Sequence, residues 1–335
     1  MFGVLVRKAI QKICISSIVL ILPLSACSKN ESSNSIKADV ILLDISGSST
    51  NAVGSFSSED HSPSSLSQRK LQLEAKIRSA LDDRTAIYFG FVHKTYGSTD
   101  IVNLVNSSLI LLIDKILKED ISNEQRLQET KAAISRAWST ALDMEIIQSN
   151  SCPTGKVESI ITEGSNATIT EQHTVSIATK LCSAASNSIY QFNQLKGEPE
   201  NIGSDIQGAI DRSLQKLASD EKRLLTSDGR QMVFIPRIIL VSDLIQVSNG
   251  KTITSATNAV KDKAAACKLA QNEASTFTPA YEGEVEIISD GFAGSKTDIK
   301  NSDREKLMEY WKCWLGTRQI TQIDIGAKGI DLGAL

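Results

Sequence analysis

Several things are scarce in this 335-residue chain. Aromatic residues make up 5%, and there are only 6 prolines, 19 glycines, 6 cysteines and 3 histidines. So few prolines and glycines exclude a collagen-like fibre and a long flexible stalk. Basic charge is not in excess either: a formal charge of −3 and a pI of 5.8 provide no basic field, which removes nucleic acid as a partner. The aliphatic run Ile13–Leu22 is short of the ~20 residues a membrane-spanning helix needs. What remains, 41% hydrophobic and 22% charged, is the composition of a folded chain rather than a disordered one. At roughly 150 residues per domain there is room for one large domain or two modest ones.

Missing motifs narrow the chemistry. No Gly-rich phosphate loop with a lysine follows any strand-like run. Ser67-Gln-Arg-Lys70 has the spacing of a penicillin-interacting serine enzyme, but no Lys-Thr-Gly accompanies it, so it reads as the opening of a helix. No CxxC or HxxxH points to zinc, and His61, His93 and His173 are scattered, as solvated or capping residues are. Asp44 is followed by Ile45, not by the Ser/Thr-Gly of an aspartic protease, and Ser46 stands where an aspartyl phosphatase wants a second Asp.

The first 26 residues read as an address. Arg7, Lys8 and Lys12 precede the run Ile13–Leu22, whose length suits a secretory signal. Leu24-Ser25-Ala26-Cys27 then resembles a bacterial lipobox. That resemblance implies cleavage before Cys27 and lipidation of its thiol, with acyl chains that hold the chain to a bilayer. Losing a leader with three basic and no acidic side chains moves the formal charge from −3 to −6. Residues 27–37 read as a polar, lipidated tether. Ser28, where lipoproteins retained at the inner membrane carry Asp, favours the outer membrane, facing periplasm or cell surface. Cys14 leaves with the leader, so Cys152, Cys182, Cys267 and Cys313 remain, with three possible pairings. Sequence order favours Cys152–Cys182 and Cys267–Cys313, with buried free thiols as the alternative.

Beyond the tether, residues 38–325 alternate strand and helix patterns, and 326–335 form a tail. Strands are predicted at 38–45, 85–92, 232–241, 285–288 and 319–325. Helices are predicted at 67–81, 122–147, 204–219, 255–274 and 302–315, with capping boxes at Ser122/Gln125, Ser204/Gln207 and Ser302/Glu305. Residues 149–196, with two cysteines and many Ser and Thr, read as an irregular insertion. The alternation predicts an α/β fold: a doubly wound, mostly parallel sheet with helices on both faces, in one domain with one insertion. Trp311 and Trp314, at helical spacing beside Tyr310 and Leu307, read as core rather than as a binding stripe.

Ligands of such sheets bind beyond the carboxyl ends of the strands. Three polar stretches fall there: Asp44-Ile45-Ser46-Gly47-Ser48, Gly203-Ser204-Asp205, and Ser242-Asp243. Together they resemble the metal-ion-dependent adhesion site of von Willebrand factor A domains. The resemblance spans about residues 37–325 and is strongest at those three anchors. It implies that Asp44, Ser46, Ser48, Ser204 and Asp243 hold Mg²⁺ or Mn²⁺, and that an acidic side chain of a protein partner completes the metal shell. Oxygen donors with two carboxylates suit Mg²⁺, a hard cation that keeps some of its waters. Here Ser204 replaces the family's usual Thr, and Leu244 stands where Gly commonly follows the Asp. Asp290, in Ile-Ile-Ser-Asp-Gly, is a rival for the third anchor. Simpler roles compete: turn chemistry at Asp44–Ser48, and a helix cap at Ser204. The expectation is thus a non-enzymatic, lipid-anchored binding module. A metal-independent scaffold, acting through the insertion and the Trp-bearing helix, is the alternative. A metal-assisted hydrolase is a third reading, weakened because no His or Glu is tied to the site as a general base.

Overall fold

The run Ser35–Asp44 forms strand β1, and from Ala38 onward every residue but Asp39 and Asp44 is apolar and buried. A strand buried on both faces belongs in the middle of a covered, parallel sheet. The computed structural model describes residues 35–44, 66–92, 100–107, 110–111, 203–225, 229–248, 251–274, 281–290, 300–327 and 331–335, with isolated positions between 128 and 187. They belong to one unit, Ser35–Leu335.

The order is β1, α1 (Leu66–Asp82), β2 (Thr85–Val92), β3 (Val102–Val105), α2 (Ile206–Glu221), β4 (Val233–Val241), a small hairpin of β5 (Val247–Ser248) and β6 (Lys251–Thr252), α3 (Ile253–Ala259), α4 (Lys263–Ala274), β7 (Val285–Asp290), α5 (Asn301–Gly316) and β8 (Ile320–Ala327). Six strands make one sheet in the order β3-β2-β1-β4-β7-β8, parallel throughout except for β3 against β2. The chain thus builds outward from β1 in one direction, then returns to its other side with β4. The fold is α/β with a mixed, mostly parallel sheet, as the strand–helix alternation predicts.

Helix faces match the apolar spacing. Leu73, Ile77 and Ala80 of α1 are buried, as are Ile206, Ile210, Leu214 and Leu217 of α2. Trp311, Trp314 and Tyr310 of α5 are core residues, stacked edge to face, so they offer no surface to a partner. Asp39, the acid inside the apolar run, accepts from Arg237 Nε at 3.0 Å and Nη2 at 2.9 Å, and pairs with Lys76 Nζ at 2.8 Å. A buried carboxylate without such partners would destabilise the fold by several kcal/mol.

Some boundaries differ from the sequence expectation. β1 starts at Ser35, inside the stretch assigned to the tether, because Ile36 is buried between strands. β8 runs two residues into the expected tail, and Leu332 beyond it is fully buried. The helix expected at 255–274 is two: α3 ends at Ala259, and Asp262 caps the restart by accepting from Ala265 N at 2.9 Å. Strand β3 and the β5–β6 hairpin were not anticipated; four- and two-residue strands carry too few positions for periodicity to register. The helix expected at 122–147 and the insertion at 149–196 lie almost wholly outside the described residues, as do residues 1–34. Among the described residues, no helix is long and apolar enough to cross a membrane.

Candidate functional site

Parallel strands end together, and three neighbouring ones here end at or beside an acid. Asp44 closes β1, Ser242-Asp243 follow β4, and Asp290 closes β7. Register places them along one rim: Leu43 pairs with Val241, and Val241 with Asp290. All three carboxylates are buried, Asp44 completely.

Hydrogen bonds tie three of the expected ligands into one cluster. Ser242 Oγ donates to Asp44 Oδ2 at 2.6 Å and accepts from Leu244 N at 3.0 Å. Asp243 Oδ1 accepts from Ile245 N at 2.9 Å, an Asx turn that shapes the loop. The carbonyl of Ile245 then accepts from Ser204 Oγ at 3.1 Å. Asp44, Asp243 and Ser204 therefore meet through residues 242–245. Ser46 and Ser48 lie outside the described residues, as do Cys27, Cys152 and Cys182. Asp290 belongs to the same rim, its carbonyl accepting from Ser242 N at 2.9 Å, but it is one strand farther from β1 than Asp243.

The simple capping role for Ser204 does not hold. The N-cap of α2 is Asp205, whose Oδ1 accepts from Gly208 N at 3.1 Å, and the Ser204 hydroxyl is spent across the chain on Ile245. A Cβ at Gly208 would meet the Asp205 carboxylate, so a larger residue there would make the capping side chain shift. Asp205 is a fourth buried acid close to the cluster, and its helix-opening position with Gly208 three residues on was the available signal. The Ser302/Glu305 box is likewise not used: α5 starts at Asn301, and its N-cap, Lys300, makes no side-chain capping bond.

A second tier of residues holds the 242–246 loop. Leu244 has φ +60°, the left-handed conformation that glycine adopts freely and a branched side chain resists. Its side chain is buried, and its carbonyl accepts from Trp311 Nε1 at 3.0 Å. Gln246 and Gln207 clasp each other twice: Gln207 N to Gln246 Oε1 at 2.8 Å, and Gln246 Nε2 to Gln207 Oε1 at 3.0 Å. Gln207 Nε2 continues to Tyr310 Oη at 2.8 Å, and Tyr310 donates to Glu273. Burial and the Glu273 carboxylate push the Tyr310 hydroxyl well above its usual range, so it stays protonated as that donor. Sequence patterning identified Trp311 and Tyr310 as core and could not show that they steady the rim.

The donors at the rim are all oxygens, carboxylates of Asp44 and Asp243 and the hydroxyl of Ser204. A hydroxyl that gives its proton to a carbonyl still has lone pairs for a cation. Oxygen donors of this type suit a hard cation such as Mg²⁺ or Mn²⁺ better than a soft metal. Elsewhere, Cys267, Glu309 and Cys313 come together, but the two sulfurs are bonded to each other as the expected disulfide between α4 and α5. They offer no thiolates to a metal. Compared with protein-family models and with curated proteins, the chain matches none.

Proposed function

We propose that this chain is a von Willebrand A-type module, doubly wound about β1 and β4, that holds Mg²⁺ or Mn²⁺ at its strand-end rim and captures a protein partner through it. Asp44, Ser204 and Asp243 would hold the cation together with Ser46 and Ser48. An acidic side chain of the partner would complete the shell, and the mature charge of −6 leaves the cation as the feature that attracts it. Cys27 would carry the lipid that fixes the module to the outer membrane, facing periplasm or surface. The observation that carries this reading is that the 242–245 loop bonds at one end to Asp44, 198 residues from Ser242, and at the other to Ser204, 41 residues from Ile245. Strand order supports the fold assignment, since the winding reverses between β1 and β4, where α/β sheets place ligands.

The test is capture from envelope extract with and without chelator. Retention should be lost in EDTA, restored by Mg²⁺ and absent in Asp44→Ala. Retention that ignores EDTA and Asp44→Ala, yet disappears on deletion of residues 149–196, would replace this reading with the metal-independent scaffold. The Trp-bearing helix is no longer a surface for that scaffold, because its tryptophans are interior.

A further inference from the structure

A path of hydrogen bonds runs from the interior of α5 to the Asp44 carboxylate. Leu43 pairs with Val241, so Asp44 and Ser242, one residue further along each chain segment, stand side by side. Both are completely buried. A serine hydroxyl has one proton to give and lone pairs to receive. Here Leu244 N donates to Ser242 Oγ at 3.0 Å, and the hydroxyl's own proton goes to Asp44 Oδ2 at 2.6 Å. Turning the hydroxyl elsewhere would cost both bonds in a place water does not reach.

The other end of the path is held as well. Leu244 takes its left-handed φ within this turn, and Trp311 Nε1 donates to its carbonyl at 3.0 Å. Trp311 is itself fixed, packed edge to face between Tyr310 and Trp314 with no surface exposed. Trp311, Leu244, Ser242 and Asp44 thus form one connected series. A carboxylate that binds a metal does so in the orientation its other hydrogen-bond partners allow, and losing such a partner typically weakens binding by ~10–100-fold. Ser242 touches Asp44 in this way without being one of the cation donors named for the rim.

We infer that Ser242 is the positioning residue of the rim: its hydroxyl orients the Asp44 carboxylate for the cation, and Trp311 steadies that hydroxyl through Leu244. This rests on the cation reading of the rim. The experiment measures Mg²⁺ and Mn²⁺ affinity of the full chain by titration calorimetry, with the metal-free thermal midpoint of each variant taken alongside. Ser242→Ala leaves Asp44, Ser204 and Asp243 in the chain, yet should weaken binding by ~10–100-fold. Ser242→Thr keeps a hydroxyl and should bind more tightly than Ser242→Ala. Trp311→Phe keeps an aromatic ring, removes the indole N–H and should weaken binding severalfold. Ser213→Ala removes another buried hydroxyl, one that donates to the Ala209 carbonyl within α2 at 2.8 Å, and should lower the midpoint without moving the affinity. A parent chain that binds neither ion would overturn the cation reading and this role with it. A parent that binds, with Ser242→Ala at the parent's affinity or Ser242→Thr no tighter than Ser242→Ala, would overturn this role alone. If Ser242→Ala does not fold, Trp311→Phe decides: weakened binding upholds the path, and unchanged binding overturns it.

Discussion

Leu244 offers a test in which two effects of opposite sign are separable. Its left-handed φ disfavours a branched side chain by roughly 1–2 kcal/mol, while its burial at 2% exposure favours keeping one. Leu244→Ala removes the buried methyls and keeps a Cβ in the disfavoured region, so it should destabilise by about 2–5 kcal/mol. Leu244→Gly loses the same packing but also loses the strain, offset by ~0.5–1 kcal/mol of glycine's extra unfolded-state freedom. The glycine variant should therefore be the more stable of the two by about 0.5–1 kcal/mol. At a position with ordinary φ the order is reversed, with glycine worse by a similar amount. Burial still outweighs strain, so both should fall below the parent. Urea denaturation followed by tryptophan fluorescence is a suitable assay, since Trp311 bonds to the Leu244 carbonyl. With equal slopes, a midpoint for Leu244→Gly at or below that of Leu244→Ala would refute the strain argument.

Two further outcomes follow from the packing. The Cys267–Cys313 disulfide closes a separation of 46 residues, for which the chain-entropy model gives about 4 kcal/mol, so Cys267→Ala/Cys313→Ala should lower the unfolding midpoint markedly; an unchanged midpoint would contradict this. Burial raises the Asp211 carboxyl above 3.8 more than Arg318, which bonds to it, lowers it. A raised acid holds its proton in the folded state after the unfolded chain has lost it, so this group's contribution to stability is greatest at low pH and declines as pH rises through the folded value. A carboxyl-detected NMR titration should place the Asp211 midpoint above 3.8, and a midpoint below it would show that Arg318 dominates.

Elements that bury a face on many residues were legible in the sequence. β2 was bounded at Thr85 and Val92 as observed, and α1 and α2 differ from expectation by two residues at most, because each carries a full apolar stripe. Capping was less legible. Ser204 and Asp205 both suit an N-cap, and a tertiary bond to Ile245, 41 residues away, decides between them. The rim followed from strand ends, which put Asp44 and Asp243 at neighbouring positions once β4 was known to sit beside β1. What could not be read was the support beneath it: Gln207, Gln246 and Trp311 look like ordinary surface or core residues until the fold joins them to the loop. The exposure of Val233 and Ile235 was hidden for the opposite reason, since their residue types match those of the buried part of the same strand.

The central claim is that the strand-end cluster binds a divalent cation through Asp44. Titration calorimetry of Mg²⁺ and Mn²⁺ into the purified chain tests it most directly, with Asp44→Ala and Asp243→Ala checked for folding by circular dichroism. The parent should bind one ion and gain thermal stability with it, and both variants should lose binding while remaining folded. No heat at millimolar metal, or binding that survives Asp44→Ala, would contradict the account.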